Sequence, residues 1–306
     1  MTAAPQAGGP PLGLRVDIDT HEGMRDGVPR LLETFAAAGV QATFYLSMGP
    51  DRSGLAVLNA LRPGFLAKMR RTGAARVYGW RTILSGTLLP ARPIATAFPE
   101  IARRVRAEGH EVGVHAWEHR RWQDRLLSWP AETVAGELDR GRDAFRAIFG
   151  VEPRTYAAPA WLSNDATLLH EESYGLDHAS DCRGTEPFLP VVGGRALRTP
   201  QVPATLPTLD EAMGDTHREA AGYFDSMLEA ASKPGWHVLT VHSELEGGPY
   251  ADAFAVFLDR CAKRGVRCMT LGALLAERRA AGPLRECALA HASVRGRHGV
   301  VSMQQG

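Results

Sequence analysis

Leu12-Gly13-Leu14-Arg15-Val16-Asp17-Ile18-Asp19 is the stretch on which the fold turns: an apolar run that closes on two carboxylates. In a strand, residues two apart share a face. Arg15, Asp17 and Asp19 therefore lie on one side, and Val16 and Ile18 on the other. Two further segments carry matching polar residues. His115 and His119 flank Ala116-Trp117-Glu118, and His242 ends the run Trp236-His237-Val238-Leu239-Thr240-Val241-His242. Histidines four apart meet on one face where the segment is helical. One carboxylate with two imidazoles is a three-ligand set that leaves metal positions open for water and substrate. The remaining Asp and His are then candidates for general base and general acid, the residue inventory of metal-assisted hydrolysis. All three segments sit at the C-terminal ends of expected strands, where α/β barrels place their chemistry.

Outward from the first strand, strand and helix signals alternate. Val28, Leu31, Leu32 and Phe35 mark a helix with Gly39 at its C-terminal cap. Strands are expected over Ala42–Ser47, Glu111–His115, Arg154–Ala158, Trp236–His242 and Val266–Thr270. Between them, Ile101 and Val105 mark a helix ending at Gly109, and Val134, Leu138, Gly141, Phe145 and Ile148 a longer one ending at Gly150. Ser163 or Asn164 opens a helix through Leu168 and Leu169. Further helices run around Tyr223–Leu228, through Phe254, Phe257, Leu258 and Cys261 to Gly265, and over Leu271–Arg279. Such alternation implies an α/β fold with a parallel sheet long enough to curl into a barrel. The expected organisation is a flexible N-terminus over residues 1–11, one domain over 12–280, and a disordered tail over 281–306, where periodicity is lost.

Composition narrows the function. A formal net charge of +1 over 306 residues argues against generic nucleic-acid binding. Met1 to Pro11 has neither a basic start nor an apolar core, so no signal peptide is expected. Cys182, Cys261, Cys268 and Cys287 form no Cys-x-x-Cys pair and read as reduced, core-filling residues of a cytoplasmic protein. From Arg52 to Pro99 there is no acidic residue, whereas average composition predicts about five. Arg62, Lys68, Arg70, Arg71, Arg76 and Trp80 stand in this insertion among Leu, Phe, Val and Tyr. Basic residues interleaved with apolar ones fit a surface that meets anionic lipid. A helical lid with a solvated basic face is the alternative.

The Asp-x-Asp, His-x-x-x-His and strand-end His resemble the polysaccharide deacetylases, also called carbohydrate esterase family 4. One branch, the deformylases of 4-deoxy-4-formamido-L-arabinose-phosphoundecaprenol, is the nearer likeness. It rests on Leu14-Arg15-Val16-Asp17-Ile18-Asp19-Thr20, Val112-Gly113-Val114-His115-Ala116-Trp117-Glu118-His119, Ser180-Asp181-Cys182-Arg183-Gly184, Pro203-Ala204-Thr205-Leu206-Pro207-Thr208 and Val241-His242-Ser243-Glu244-Leu245-Glu246-Gly247. It spans about residues 12–278. The resemblance implies a distorted (β/α) barrel of the deacetylase type with fewer than eight regular strands. It implies one divalent metal, Zn²⁺ first with Mn²⁺, Co²⁺, Ni²⁺ or Fe²⁺ admitted by mixed ligation. By position, Asp19, His115 and His119 would hold the metal, Asp17 would be the base and His242 the acid. The substrate implied is a formamido sugar on undecaprenyl phosphate, met at the cytoplasmic face of the inner membrane, in lipid A modification and polymyxin resistance. A general polysaccharide or peptidoglycan N-deacetylase is the second reading, and a non-catalytic membrane adaptor the third.

One departure stands out. The broad family places an Arg shortly before a Pro to steady the base, and this chain has Ala157 in Tyr156-Ala157-Ala158-Pro159-Ala160-Trp161. Arg15, on the face of Asp17, is the candidate replacement. Trp161, Asp181 and Arg183 are the residues expected to touch substrate, with Arg183 available to a sugar phosphodiester; an ordinary surface Arg and a core Trp are the alternatives for Arg183 and Trp161.

Overall fold

The computed structural model describes residues 8–55, 82, 84–213, 215–297 and 299–306. Its centre is a parallel sheet of seven strands: β1 (Pro11–Ile18), β2 (Thr43–Leu46), β5 (Glu111–Val114), β6 (Thr155–Tyr156), β7 (His178–Ala179), β10 (His237–His242) and β11 (Arg267–Met269). The order is β10-β1-β2-β5-β6-β7. β11 pairs with the N-terminal part of β1 and β2 with its C-terminal part, Leu12 facing Cys268 and Val16 facing Phe44.

The register of β1 against β10 sets Leu12 beside His237 and Asp17 beside His242. Leu12, Leu14, Val16 and Ile18 are wholly buried and join the large apolar layer between sheet and helices, with Leu31, Leu32, Phe35 and Phe254. The alternate residues of β1 point into the barrel. Gly13 lies there against the helix Leu271–Ala280, which closes the N-terminal mouth. A Cβ on Gly13 would stand 2.9 Å from a methyl of Leu271 and 3.0 Å from one of Leu274, so a larger residue there would make these leucines shift. Above this apolar plug the interior turns polar with Arg15, Tyr45 and Asp181, all fully buried.

Between β7 and β10 the barrel is closed without a regular strand. Residues 200–206 run as an extended segment that bonds to both edges. Val202 N–H donates to Ala179 at 2.7 Å, and Leu206 N–H to Val238 at 3.1 Å. The expectation of fewer than eight regular strands is met by this segment. The C-terminal caps also fall where expected, with Gly39 at φ 65° and Gly150 at φ 68°. Of the two candidate caps Ser163 and Asn164, it is the Asn164 side chain that accepts from Thr167 N–H, at 2.9 Å.

Residues 281–306 correct the expectation of a disordered tail. β12 (Arg285–Cys287) pairs with β8 (Phe188–Val192), which also pairs with β9 (Arg195–Ala196). β13 (Leu289–Ala292) and β14 (Val301–Gln304) form an antiparallel hairpin. Val301 and Ser302 are buried, and Ser302 Oγ accepts from Ser163 N–H at 2.9 Å. Short polar strands of this kind carry no strong hydrophobic period, and their stability comes from what they cover.

The basic-apolar insertion falls largely among residues 56–81 and 83, so Arg62, Lys68, Arg70, Arg71, Arg76 and Trp80 lie outside the described residues. Its two ends are described. β3 (Pro50–Asp51) pairs with β4 (Arg92–Pro93), and Asp51 accepts from His21 N–H at 3.0 Å. Both ends therefore meet His21, which lies two residues after Asp19 in sequence. Among the described residues, no helix is long and apolar enough to cross a membrane.

Candidate metal centre and acid–base site

Asp19 follows the last residue of β1, and His115 follows the last residue of β5. His119 is the first residue of the helix His119–Arg125. The two histidines do not share a helix face, as their spacing suggested. Ala116, at φ 89°, turns the chain between them and brings the rings to 5.2 Å. The Nε2 atoms of His115 and His119 stand 3.3 and 3.4 Å from the two carboxylate oxygens of Asp19. One ligand atom from each of the three residues lies within 4.8 Å of the others.

The donor set fits a divalent ion. His115 Nδ1–H donates to the Ala157 carbonyl at 2.7 Å, which leaves Nε2 as the lone-pair atom. That Nε2 and Asp19 Oδ1 are shielded from solvent and make no hydrogen bond. Buried polar atoms without partners are rare unless something else binds them. Burial pushes the His119 imidazole down to about 4 against the pull of Asp19, so it too offers a lone pair at neutral pH. Asp19 is resisted by burial but held well below the carboxylate range by His119 and His115.

Asp17 lies beside this group, its Oδ2 at 3.6 Å from His115 Nε2. Arg15 grips it with two hydrogen bonds, Nε to Oδ1 and Nη2 to Oδ2, each 2.7 Å. The guanidinium is itself fixed by the Ser180 carbonyl and by Ser180 Oγ at 3.1 Å. Burial works against the Asp17 anion, yet Arg15 outweighs it and keeps the carboxyl below its usual range. Arg15 thus makes the contact to Asp17 for which it stood as the candidate beside Ala157. A bidentate guanidinium fixes both oxygens of a carboxylate, which a Lys cannot do.

His242 ends β10 directly across from Asp17. Burial opposes its charged form, but Asp210, Asp19, Glu244 and Asp17 together raise it to about 9. Asp210 lies in the short helix Leu209–Ala212, whose N-terminus is a capping box formed by Thr208 and Glu211. It is the carboxylate with the largest influence on His242, and it is not among the site residues expected from the sequence. The spacing Thr208-Leu209-Asp210-Glu211, a Thr-x-x-Glu cap, marks only the helix start that carries it. Glu246 was likewise unassigned. It accepts from His242 N–H at 2.8 Å and fixes the strand end.

Of the residues expected to contact substrate, Asp181 is placed otherwise. It is wholly enclosed, accepting from Ala158 N–H at 2.7 Å and from Gln201 Nε2 at 2.6 Å. Its work is to hold the loop before Pro159. Trp161 and Arg183 stand together instead, with the Arg183 guanidinium 4.7 Å from the indole centroid. Ala160 and Trp161 both adopt positive φ, 56° and 52°. Such strain in non-glycine residues clusters at binding sites, where the surroundings over-determine it.

The polysaccharide deacetylase family model matches residues 17–179. A Shewanella sediminis protein named "Probable 4-deoxy-4-formamido-L-arabinose-phosphoundecaprenol deformylase ArnD" is 35% identical over 96% of this chain and 94% of its own length. A Wigglesworthia glossinidia brevipalpis protein of the same name is 27% identical over 92% of this chain and 98% of its own length. Among solved structures, a Mycobacterium smegmatis protein assigned to the polysaccharide deacetylases superposes with a TM-score of 0.62 at 20% identity. It covers 96% of this chain and 99% of that one.

Proposed function

This chain belongs to the polysaccharide deacetylase family of amide C–N hydrolases, and from that premise we propose that it is a metal-dependent deformylase. Its substrate would be 4-deoxy-4-formamido-L-arabinose on undecaprenyl phosphate, and its products formate and the aminoarabinose lipid. The supporting observation is Arg15 on Asp17. The chain has Ala157 where the broad family places its Arg and carries a guanidinium on Asp17 from within the strand, and the 35% identical relative bears a deformylase name.

Asp19, His115 and His119 would hold the ion. When bound, a divalent cation supplies Lewis acidity, lowering the pKa of water and polarising a carbonyl. Asp17, ionised and fixed by Arg15, accepts a proton from the attacking water as it adds to the formyl carbon. His242, protonated at neutral pH, donates its proton to the sugar nitrogen, so that the amine leaves neutral rather than as an anion. Arg15 keeps the Asp17 oxygens in place through the transfer, and Glu246 keeps the His242 backbone in place. A formyl group is smaller than acetyl by one methyl, and a close-fitting pocket discriminates one methylene by roughly 10- to 200-fold.

The chain would work as a peripheral protein on the cytoplasmic face of the inner membrane, in the lipid A pathway that confers polymyxin resistance. The support is the basic-apolar composition of the insertion and the placement of its ends beside His21. Vesicles containing anionic lipid should bind the protein, partly released by salt. Replacing Arg70, Arg71 and Arg76 with Glu should weaken that binding. Equal losses of activity on membrane-embedded and water-soluble substrates in that variant would reduce the insertion to a lid.

The direct test is release of formate, followed by mass spectrometry of the amine, from a short-chain prenyl phospho-formamidoarabinose. Comparable kcat/KM on the matched acetamido sugar would favour the general N-deacetylase reading.

A further inference from the structure

Trp161 is buried to 98%, yet its indole N–H has no hydrogen-bond partner. Three guanidiniums surround its ring. Arg15 lies 5.3 Å from the centroid, Arg183 4.7 Å and Arg297 4.5 Å. Arg15 is neutralised by Asp17. Arg183 and Arg297 share a single carboxylate, Glu211, at 3.3 and 3.1 Å, so one positive charge is left over at the indole. Arg183 also donates to the Leu206 carbonyl at 2.9 Å. The hydrogen bond to Glu211 uses one of the five N–H donors of Arg297.

The C-terminal hairpin builds this arrangement. Arg297 sits in the connection between β13 and β14, and Gly296 packs where a Cβ would come within 2.5 Å of the Glu211 carbonyl oxygen. Arg183 is clamped by β14, its N–H donating to Ser302 and its carbonyl accepting from Gln304. Trp161 and Arg183 follow β6 and β7 at their C-terminal ends, on the same face as Asp17.

We propose that Arg183 and Arg297, held on Glu211 against Trp161, form a subsite for a monoanionic phosphodiester of the substrate. This rests on the deformylase reading for the identity of that substrate, whose phosphodiester carries one negative charge. A phosphodiester oxygen accepts from the unused guanidinium N–H groups and neutralises the surplus charge, and Arg suits that fork geometry better than Lys. The hairpin over residues 289–304 is then part of the binding site.

The test uses two ligands and the full-length chain. The first is a short-chain prenyl phosphodiester of plain arabinose, which has no formamide and reports binding alone by calorimetry. The second is the matched neutral methyl arabinoside. Wild type should bind the phosphodiester more tightly, and Arg297→Gln should weaken it about tenfold, the loss of one charged hydrogen bond. Arg297→Lys should fall between the two. With formamido versions of both ligands, the rise in KM should be about tenfold larger for the phosphodiester than for the neutral sugar. Equal weakening of both ligands would mean that Arg297 only props the site, and would overturn the proposal. So would a wild type that does not prefer the phosphodiester. Acetate release from the matched acetamido phosphodiester that rivals formate release from the formamido one, with Arg297→Gln still weakening the phosphodiester, would remove the deformylase reading and leave the subsite standing.

Discussion

Asp17 and His242 stand side by side on adjacent parallel strands, both buried, and their surroundings drive them to opposite protonation states. Asp17 is met by one guanidinium with two short hydrogen bonds and stays ionised. His242 feels the acidic groups of Asp210, Asp19, Glu244 and Asp17, Asp210 most, and is raised to about 9. Burial disfavours the charged form of both, so it cannot be the cause of the difference. The assignment of base and acid is carried by the charged partners, and those come from different parts of the chain. Arg15 is two residues from Asp17 in the same strand, whereas Asp210 acts on His242 from the short helix Leu209–Ala212.

The sharpest way to break this contrast is to remove its shared neighbour. Asp19→Ala or His115→Ala should abolish bound divalent metal and activity in a protein that remains folded. Full occupancy by elemental analysis in either variant would dismiss that ligand. Next in size are the two members themselves. Asp17→Asn and His242→Ala should keep the metal and lose kcat by roughly 10²-fold or more, the usual scale for a positioned base or acid. Near wild-type kcat in either would reassign its role.

Changing the partners should have smaller and more informative effects. Arg15→Lys keeps the charge but not the fork, so the base should be ionised yet misaligned, with kcat down by about tenfold and KM little altered. A matched fall in kcat and rise in KM would point to general damage to the barrel. Removing Arg15 altogether should cost about 3–5 kcal/mol of stability by leaving the buried Asp17 anion unpaired, read by denaturant titration.

The smallest effect belongs to Asp210→Asn. With that charge gone, the pKa of His242 should fall, and the alkaline limb of the kcat profile should move to lower pH by a unit or so. The sign for stability follows from linkage. A His raised to about 9 in the folded protein adds stability that is complete below its unfolded pKa, and that contribution disappears as pH rises through 9. In metal-free protein, Asp210→Asn should therefore lower Tm more at pH 6 than at pH 10. An equal Tm loss at both values would make Asp210 a helix-cap residue only.

The same contrast explains what was legible in the sequence. Asp17, Asp19, His115 and His242 could be placed because each ends an apolar run whose buried faces leave one register, and strand ends in a parallel barrel converge. Arg15 was legible for the same reason, two residues back on one face. The turn at Ala116 was not, because the spacing of His115 and His119 is that of a helix and only φ 89° reveals otherwise. Asp210 and Arg297 were hidden for another reason. They act on residues 32 and 86 positions away, His242 and Glu211, through short elements whose local signals are caps and turns rather than periods. Asp181 stands in a polar Ser-Asp-Cys-Arg-Gly stretch whose sequence does not distinguish a substrate contact from an internal bond; in the fold it is enclosed and accepts from Ala158 N–H and Gln201 Nε2.

Central to the account is that this site, with Asp17 fixed by Arg15 and His242 as its acid, removes formyl rather than acetyl groups. The measurement is the ratio of formate to acetate released from matched formamido and acetamido arabinose on a short prenyl phosphate, by purified protein with added divalent ion and with chelator. The account predicts at least roughly tenfold preference for formyl, the lower range for excluding one methyl, and loss of both activities with chelator. Equal rates on the two amides, or turnover that survives the chelator, would contradict it.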